Sequence, residues 1–375
     1  MRQLNLSILP SNSIWISTQV IVWTVGWLLL FEIIIAQLPN APAPKELSKL
    51  QNYLLEYGRS VEGKLYRMIV PTDEDTAPIA LAGWLLPEKW KNLPDITEKA
   101  DELSITIYGS SFSNHVGNAL TKLDKHIITR LIAGPFAPPS HSYAAFLLDK
   151  QQYQSQVVAM GILASAVVGM TTITGTNRAF EHPAPYTYPK YHLINNQLQT
   201  IEPKIHNLTE LRNAMNNPQL WQEYVAQLRT EDGFYEPFLF QKNFLDNSVL
   251  VRFLRRAWAA RHTRLLTEKI HTSQGFTDSP EMQTLRVIVQ QFAAQVRQDG
   301  RLPLLLLFNN QGYSDHLYQA LAPTIQAADI PTMSTHTLAS ANDPRNFISD
   351  GHFTPKANKL FATEVLKIVR ERLKK

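Results

Sequence analysis

Apolar positions crowd the start of the chain and then settle into two alternating rhythms. Ile14 to Phe31 carries no charge, and Ile33, Ile34, Ile35 and Leu38 extend the apolar run past Glu32. About 20 such residues, at roughly 1.5 Å each in a helix, match a bilayer core of about 30 Å. The run exceeds the apolar stretch of about 7–15 residues found in secretory signals, and its one A-x-A site, Ala41-Pro42-Ala43, is followed by Pro44. The pattern predicts an uncleaved transmembrane anchor within residues 1–40, with Glu32 near a headgroup region where its charge costs least. Arg2 before the span and Lys45 and Lys49 after it leave the orientation unassigned by charge alone.

Residues 41–100 read as a linker and juxtamembrane helix. Pro39 to Pro44 forms a stiff exit. Leu47, Leu50, Leu54, Leu55 and Val61 recur at helical spacing up to about Met68, and Ile79 to Leu86 is a candidate strand. The main domain is expected over 101–375. Leu103, Ile105 and Ile107 alternate with Ser104 and Thr106 in strand fashion, ending at Gly109. Val116, Leu120, Leu123, Ile127, Ile128 and Leu131 then predict a helix over Val116–Ile132, a second helix is expected over Tyr143–Gln152, and Val157–Ile162 suits a buried strand. Long helical patterns at Leu208–Leu228, Val249–Ile270 and Glu281–Val296 suggest a helical insertion or cap over about 180–299. Strand character returns at Leu302–Asn309 and Thr332–Thr337, around a helix at Asp315–Ala328. The closing helix carries Thr354 as its cap, Pro355 in its first turn and an apolar face of Phe361, Val365, Ile368 and Val369. Strands alternating with helices imply an α/β fold with a parallel sheet between helical layers.

With 44% hydrophobic and 18% charged residues, this is the composition of an ordinary folded chain. A net charge of +4 without a basic-aromatic stripe gives no reason to expect a nucleic-acid partner. The absence of cysteine removes disulfides, thiolate nucleophiles and Cys-ligated zinc.

Two short blocks can carry chemistry. In Tyr108-Gly109-Ser110-Ser111-Phe112-Ser113-Asn114, a strand enters a turn and then a helix. Such a turn exposes a hydroxyl at the carboxyl end of the sheet, with backbone N–H groups facing a developing oxyanion. The bland alternative is that Ser113 or Asn114 merely caps the helix. In Ser349-Asp350-Gly351-His352, extended backbone would point Asp350 and His352 to one side, so that the carboxylate orients the imidazole. The alternative is an Asp-Gly turn beside an incidental histidine. A D-x-H pair supplies only two metal ligands and has no companion, so no metal or cofactor is expected.

Taken together, the order Ser, Asp, His resembles the SGNH or GDSL hydrolase superfamily. Gly109-Ser110-Ser111-Phe112 stands for its G-D-S-[LF] block, with Ser110 in place of the usual Asp, and Asp350-Gly351-His352 for its closing D-x-x-H or D-x-H block. The resemblance covers roughly residues 101–180 and 300–375. It implies a three-layer α/β/α, flavodoxin-like sheet, a Ser111–His352–Asp350 triad and an oxyanion role for Gly134. The family's third block, G-x-N-D, is not matched at Gly161-Ile162-Leu163-Ala164. Gly175-Thr176-Asn177-Arg178 has the right letters later in the chain, so Asn177 is expected as oxyanion donor, with Asn114 as its alternative and Arg178 at the substrate. A G-x-S-x-G elbow is the less fitting comparison, because Ser113 replaces its second glycine.

The resemblance implies a membrane-anchored serine esterase acting on an acyl ester, placed on the extracytoplasmic face. The G-S-S pattern also resembles accessory proteins for D-alanine transfer to teichoic acids. That likeness implies an alternative, an O-acyltransferase acting on an exported or cell-envelope polysaccharide beside an integral-membrane acyltransferase. An inactive SGNH-like glycan-binding or scaffold protein is the reading from another class. His115 is expected to play a local role, Glu181 and His182 to flank the cleft, and Arg252, Arg255, Arg256, Arg261 and Arg264 to form a solvated basic helix face, with an anionic-polymer or headgroup surface as its alternative.

Overall fold

The computed structural model describes residues 11–36, 56–69, 83–91, 93, 102–149 and 154–374. Its centre is a five-stranded parallel sheet built from β1 (Leu103–Ser110), β2 (Ile127–Gly134), β3 (Val157–Leu163), β4 (Leu302–Phe308) and β5 (Thr332–Ser334), in the order β2-β1-β3-β4-β5. That is the order of flavodoxin-like doubly wound sheets, in which ligands bind outside the carboxyl ends of the strands where the winding reverses. Here the reversal falls between β1 and β3.

Helices cover both faces. On one side lie α2 (Ser111–Leu123) and α7 (Pro355–Leu373), whose Val116, Leu120, Phe361, Val365 and Val369 pack on Ile105, Ile107 and Leu306. On the other lie α3 (Pro139–Asp149), α5 (Pro280–Gln298) and α6 (His316–Ala327), contributing Phe146, Leu285, Phe292 and Leu321 against Met160 and Leu305. With helices above and below, the strands are buried on both faces, which is why β3 and β4 read as near-continuous apolar runs. Thr354 caps α7 as expected, accepting from Ala357 N at 3.3 Å.

The structure departs from the sequence expectations at several points. The helix expected over Val116–Ile132 begins at Ser111 and stops at Leu123, and Ile127–Gly134 is a strand paired along its whole length with β1. The β-branched run Ile127-Ile128-Thr129 favours a pleated surface, and the pairing outweighs the helical spacing. Gly83–Leu86, from the expected strand Ile79–Leu86, is not a strand; the remaining residues of that stretch lie outside the described ones. Of the juxtamembrane helix, Val61–Ile69 is helical, whereas residues 37–55 and the Pro-rich exit lie outside the described residues.

The helices expected as one cap divide between two cores. α5 buries Met282, Ile288 and Val296 on the sheet as the crossover into β4. The helices Leu208–Asn216 and Pro218–Glu231, with α4 (Val249–Ile270), instead join Val61–Ile69 in a separate cluster containing Leu65, Leu211, Trp221 and Tyr224. α1 (Ser11–Ala36) is one continuous helix of 26 residues, long and apolar enough to cross a membrane.

Candidate active site

The nucleophile end is built by a tight change of direction. Ser110 closes β1 with extended backbone (φ −101°, ψ −176°), and Ser111 is already the first residue of α2. A helix start leaves its first four N–H groups without intrahelical partners, so donors and the positive end of the dipole converge at Ser111. The turn is possible because two glycines make room for Ser113. A Cβ on Gly161 would meet Ser113 Oγ at 1.9 Å, and one on Gly109 would meet it at 2.1 Å. Gly161 of the unmatched third block therefore serves the packing of the nucleophile's helix against β3.

The base arrives from the loop before α7. Ser111 Oγ lies 2.8 Å from His352 Nε2, across a sequence separation of 241 residues. On the other side of the ring, Nδ1 lies 3.0 Å from Asp350 Oδ1. The 3.0 Å contact is an ion-pair approach in which the Nδ1 N–H is not aligned on the carboxylate, and a proton carried on Nδ1 would leave Nε2 to accept from the serine hydroxyl. The backbone differs from the extended loop expected from sequence. Gly351 sits at φ +85°, Ile348 N donates to His352 O at 2.8 Å, and Asp350 Oδ1 accepts from His352 N at 3.0 Å. This is an Asp turn, in which the same carboxylate that addresses the imidazole also holds the backbone. The His352 N–H, followed by its imidazole, keeps the Asp350 carboxyl below the usual carboxylate range. Asp350 is solvent-accessible, with 60% of its side chain exposed against 23% for His352.

Two further aromatic residues position the base. Phe112 stacks on His352 with ring centroids 4.7 Å apart and planes at 29°. His115, one turn beyond Ser111, sits 4.8 Å from the His352 ring, and burial, then the neighbouring imidazole, lower its pKa. Sequence reasoning gave His115 only a local role and gave Phe112 none beyond its motif letter. The four-residue spacing from Ser111 to His115 on one helix face was the available signal.

Gly134 is the residue expected on the oxyanion side. It ends β2 rather than lying in a loop after a helix, and the strand register carries it alongside Ser110. A Cβ there would meet the His141 ring at 2.9 and 3.0 Å. His141 is fully buried, and its Nε2 donates to Gly83 O at 2.8 Å. Burial pushes its pKa down to about 4, so the ring is neutral and Nε2 carries the proton. The following helix is locked by a buried fork in which Arg130 Nε and Nη2 meet the Asp149 carboxylate at 3.1 and 2.8 Å. Tyr108 Oη adds a third hydrogen bond at 2.9 Å.

The residues expected from the displaced third block do other work. Asn177 Nδ2 donates to Asp232 Oδ2 at 2.6 Å in a buried site, so one of its two amide N–H groups is held by a structural bond. Burial raises Asp232 to about 6, the Asn177 hydrogen bond partly offsetting it. Asn114 stands in the first turn of α2, beside the nucleophile. Arg178 ties two sheet-edge loops together, donating to Ser165 O at 3.2 Å and Phe136 O at 3.4 Å.

Arg178 and Phe136 also line a cavity of about 450 Å³ whose other walls include Phe180, Ala184, Ala259 and Thr263. Phe136 lies two residues beyond Gly134, so this cavity adjoins the oxyanion side. Glu181 pairs with Arg256 at 2.7 Å on its rim, and His182 packs edge-on against Tyr57. A second cavity, about 590 Å³, borders His115, Asn118, Ile348 and Phe353 on the base side. The expected basic face of α4 is broken up: Arg252 and Arg255 are buried, the latter paired with Asp246. Among the described residues no cluster of three or more His, Asp or Glu side chains could hold a metal ion.

No protein-family model matches the chain, and no curated protein is similar to it. Among solved structures, the chain is similar to a protein from Desulfitobacterium hafniense DCB-2 proposed as lipolytic and of the G-D-S-L family. The two share 7% identity at a TM-score of 0.34, over 71% of this chain and 99% of that one.

Proposed function

We propose that the protein is a membrane-anchored serine hydrolase that cleaves an acyl ester through Ser111, His352 and Asp350. The observation that carries this reading is the 2.8 Å approach of Ser111 Oγ to His352 Nε2, continued at 3.0 Å to Asp350. Such a chain of contacts activates a hydroxyl. His352 takes the serine proton as Oγ attacks the ester carbonyl, and the imidazolium is stabilised by Asp350. The oxyanion is received by backbone donors at Ser111 and Gly134. His352 then returns the proton to the departing alkoxide, leaving an acyl-serine. Water attacks that ester by the reverse route and frees the carboxylic acid. The mostly apolar cavity beside Phe136 suits the acyl group, and α1 holds the site beside a membrane on the extracytoplasmic side.

The second cavity favours a companion reading. It borders His115 on the base side, where a sugar hydroxyl could meet His352 and accept the acyl group in place of water. The protein would then be an O-acyltransferase acting on an exported polysaccharide, supplied by an integral-membrane acyltransferase. Hydrolysis of p-nitrophenyl acetate, measured with and without an oligosaccharide acceptor, separates these readings. Release of acetate alone supports the hydrolase, and acetylated oligosaccharide supports the transferase. A folded protein that does neither, and that resists a fluorophosphonate, belongs to the inactive glycan-binding class instead.

A further inference from the structure

The anchor and the cap meet at one carboxylate. Glu32, the acidic residue of the long apolar helix α1, accepts from Val249 N at 2.8 Å through Oε1 and from Leu250 N at 3.1 Å through Oε2. Those two N–H groups open α4, and Ser248 caps the same end by accepting from Val251 N at 3.2 Å. A carboxylate at a helix N-terminus is favoured both by the orphan donors and by the macrodipole. The contact lets an acidic residue sit in an apolar segment with its charge satisfied. It also joins the first turn of α4 to the C-terminal part of α1.

From that point α4 continues for 22 residues, roughly 33 Å. Its two sides differ in kind. Arg256, Ala259, Ala260 and Thr263 line the cavity beside Phe136. At about 100° per residue, Leu254, Trp258, Arg261 and Leu265 fall in a narrow stripe on the opposite side. Leu254, Trp258 and Leu265 are 62%, 45% and 44% exposed. Arg261 lies over the Trp258 ring at 5.6 Å, and Arg264 and Lys269 flank the stripe, with Glu268 paired to Arg264. Phe244, just before the helix, is 81% exposed. The helix as a whole has little apolar asymmetry, because its cavity side is apolar too, but this outer stripe of leucines and a tryptophan bordered by arginine and lysine suits contact with a lipid interface.

We propose that α4 lies along the membrane surface, with Leu254, Trp258 and Leu265 in the headgroup–acyl boundary and Arg261, Arg264 and Lys269 among lipid phosphates. This inference rests on the anchor reading of the proposed function and extends it. The helix would form the partition between lipid and cavity, holding the proposed acyl site about one helix diameter, roughly 10–12 Å, above the bilayer.

The cysteine-free chain gives a direct test. Full-length protein in nanodiscs containing anionic lipid carries a single nitroxide at Leu254→Cys or Leu265→Cys. Val22→Cys serves as the lipid reference and Lys367→Cys as the aqueous one. Collision with oxygen is compared with collision with a water-soluble nickel chelate. We expect both α4 labels to behave like Val22→Cys, favouring oxygen several-fold over the chelate. Nickel access at the α4 positions with Val22→Cys still in lipid would overturn the proposal while sparing the anchor. So would labels shielded from both reagents, the signature of a second copy or another protein on the stripe. If Val22→Cys also meets the chelate, the anchor reading itself fails.

Discussion

Two strand ends at the same edge of the sheet have opposite characters. β1 ends in Ser110 and hands directly to a helix whose first residue is Ser111, the proposed nucleophile. β3 ends in Leu163 and hands to an apolar stretch of eight residues, Ala164–Thr171, wound as a 3-10 helix. At the first, polar groups point at a shared centre: Ser111, His352 and Asp350 form one chain of contacts. At the second, polar groups are consumed by structure. Ser165 N donates to Asn310 Oδ1 at 3.2 Å, and Asn177 is bonded to Asp232. The contrast teaches that nucleophile activation and oxyanion binding are separable. The first needs three particular side chains, whereas the second can be met by backbone N–H groups that any residue carries.

This contrast can be broken by experiment. The largest effect belongs to the complete end. Ser111→Ala and His352→Ala are each expected to lower kcat for ester hydrolysis by about 10⁴-fold or more, and the double variant to lose little beyond either, because the pair acts as a unit. Independent, multiplying losses would refute the pairing. Next comes Gly134→Ala, whose methyl meets the locked His141 ring and displaces the backbone donor. A loss of about 10²–10³ in kcat with KM little changed is expected, as for removal of one oxyanion donor.

Asp350→Asn should cost less than the loss of a buried triad acid, about 10–10² in kcat, since its exposed site lets water share the work of stabilising the imidazolium. A pH titration of stability addresses His141. Its folded pKa, about 4, lies below the ordinary value of 6.5. Between those values the unfolded chain binds more protons, so its contribution is present above pH 6.5 and lost as pH falls toward 4. Thermal melts of wild type and His141→Gln should converge across that window, the variant having the shallower pH dependence; parallel curves would contradict the assignment. The smallest catalytic effect is expected for Asn177→Ala. It should change kcat by no more than about fivefold while lowering the melting temperature, because it removes a buried hydrogen bond and not an oxyanion donor. A loss of 10² or more would make the β3 side catalytic after all.

How far the chain could be read in advance follows the range of the interactions involved. The Ser111 and Asp350-Gly351-His352 blocks were legible because each is a local motif with a chemical reason for its residues. The five strands were mostly legible from apolar runs, and Thr354 from its place before Pro355. Ile127–Gly134 was not, because its apolar spacing also fits a helix and only pairing with β1 decides between them. The role of Gly161 was hidden because a glycine that accommodates Ser113 is defined by a neighbour 48 positions away in sequence, at a distance visible only in the fold. The partner of Asn177 was hidden for a similar reason. The letters around Asn177 match a motif, but one of its amide N–H groups is held by Asp232 from the helical insertion. The division of that insertion, with α5 on the sheet and α4 in the cap, depends on which apolar face finds which core.

The account stands on Ser111 being the activated hydroxyl among three neighbouring serines. Full-length protein treated with a fluorophosphonate, digested and mapped by mass spectrometry should carry one adduct, on Ser111, and the Ser111→Ala variant should carry none. An adduct on Ser110 or Ser113, or labelling that survives in Ser111→Ala, would contradict it.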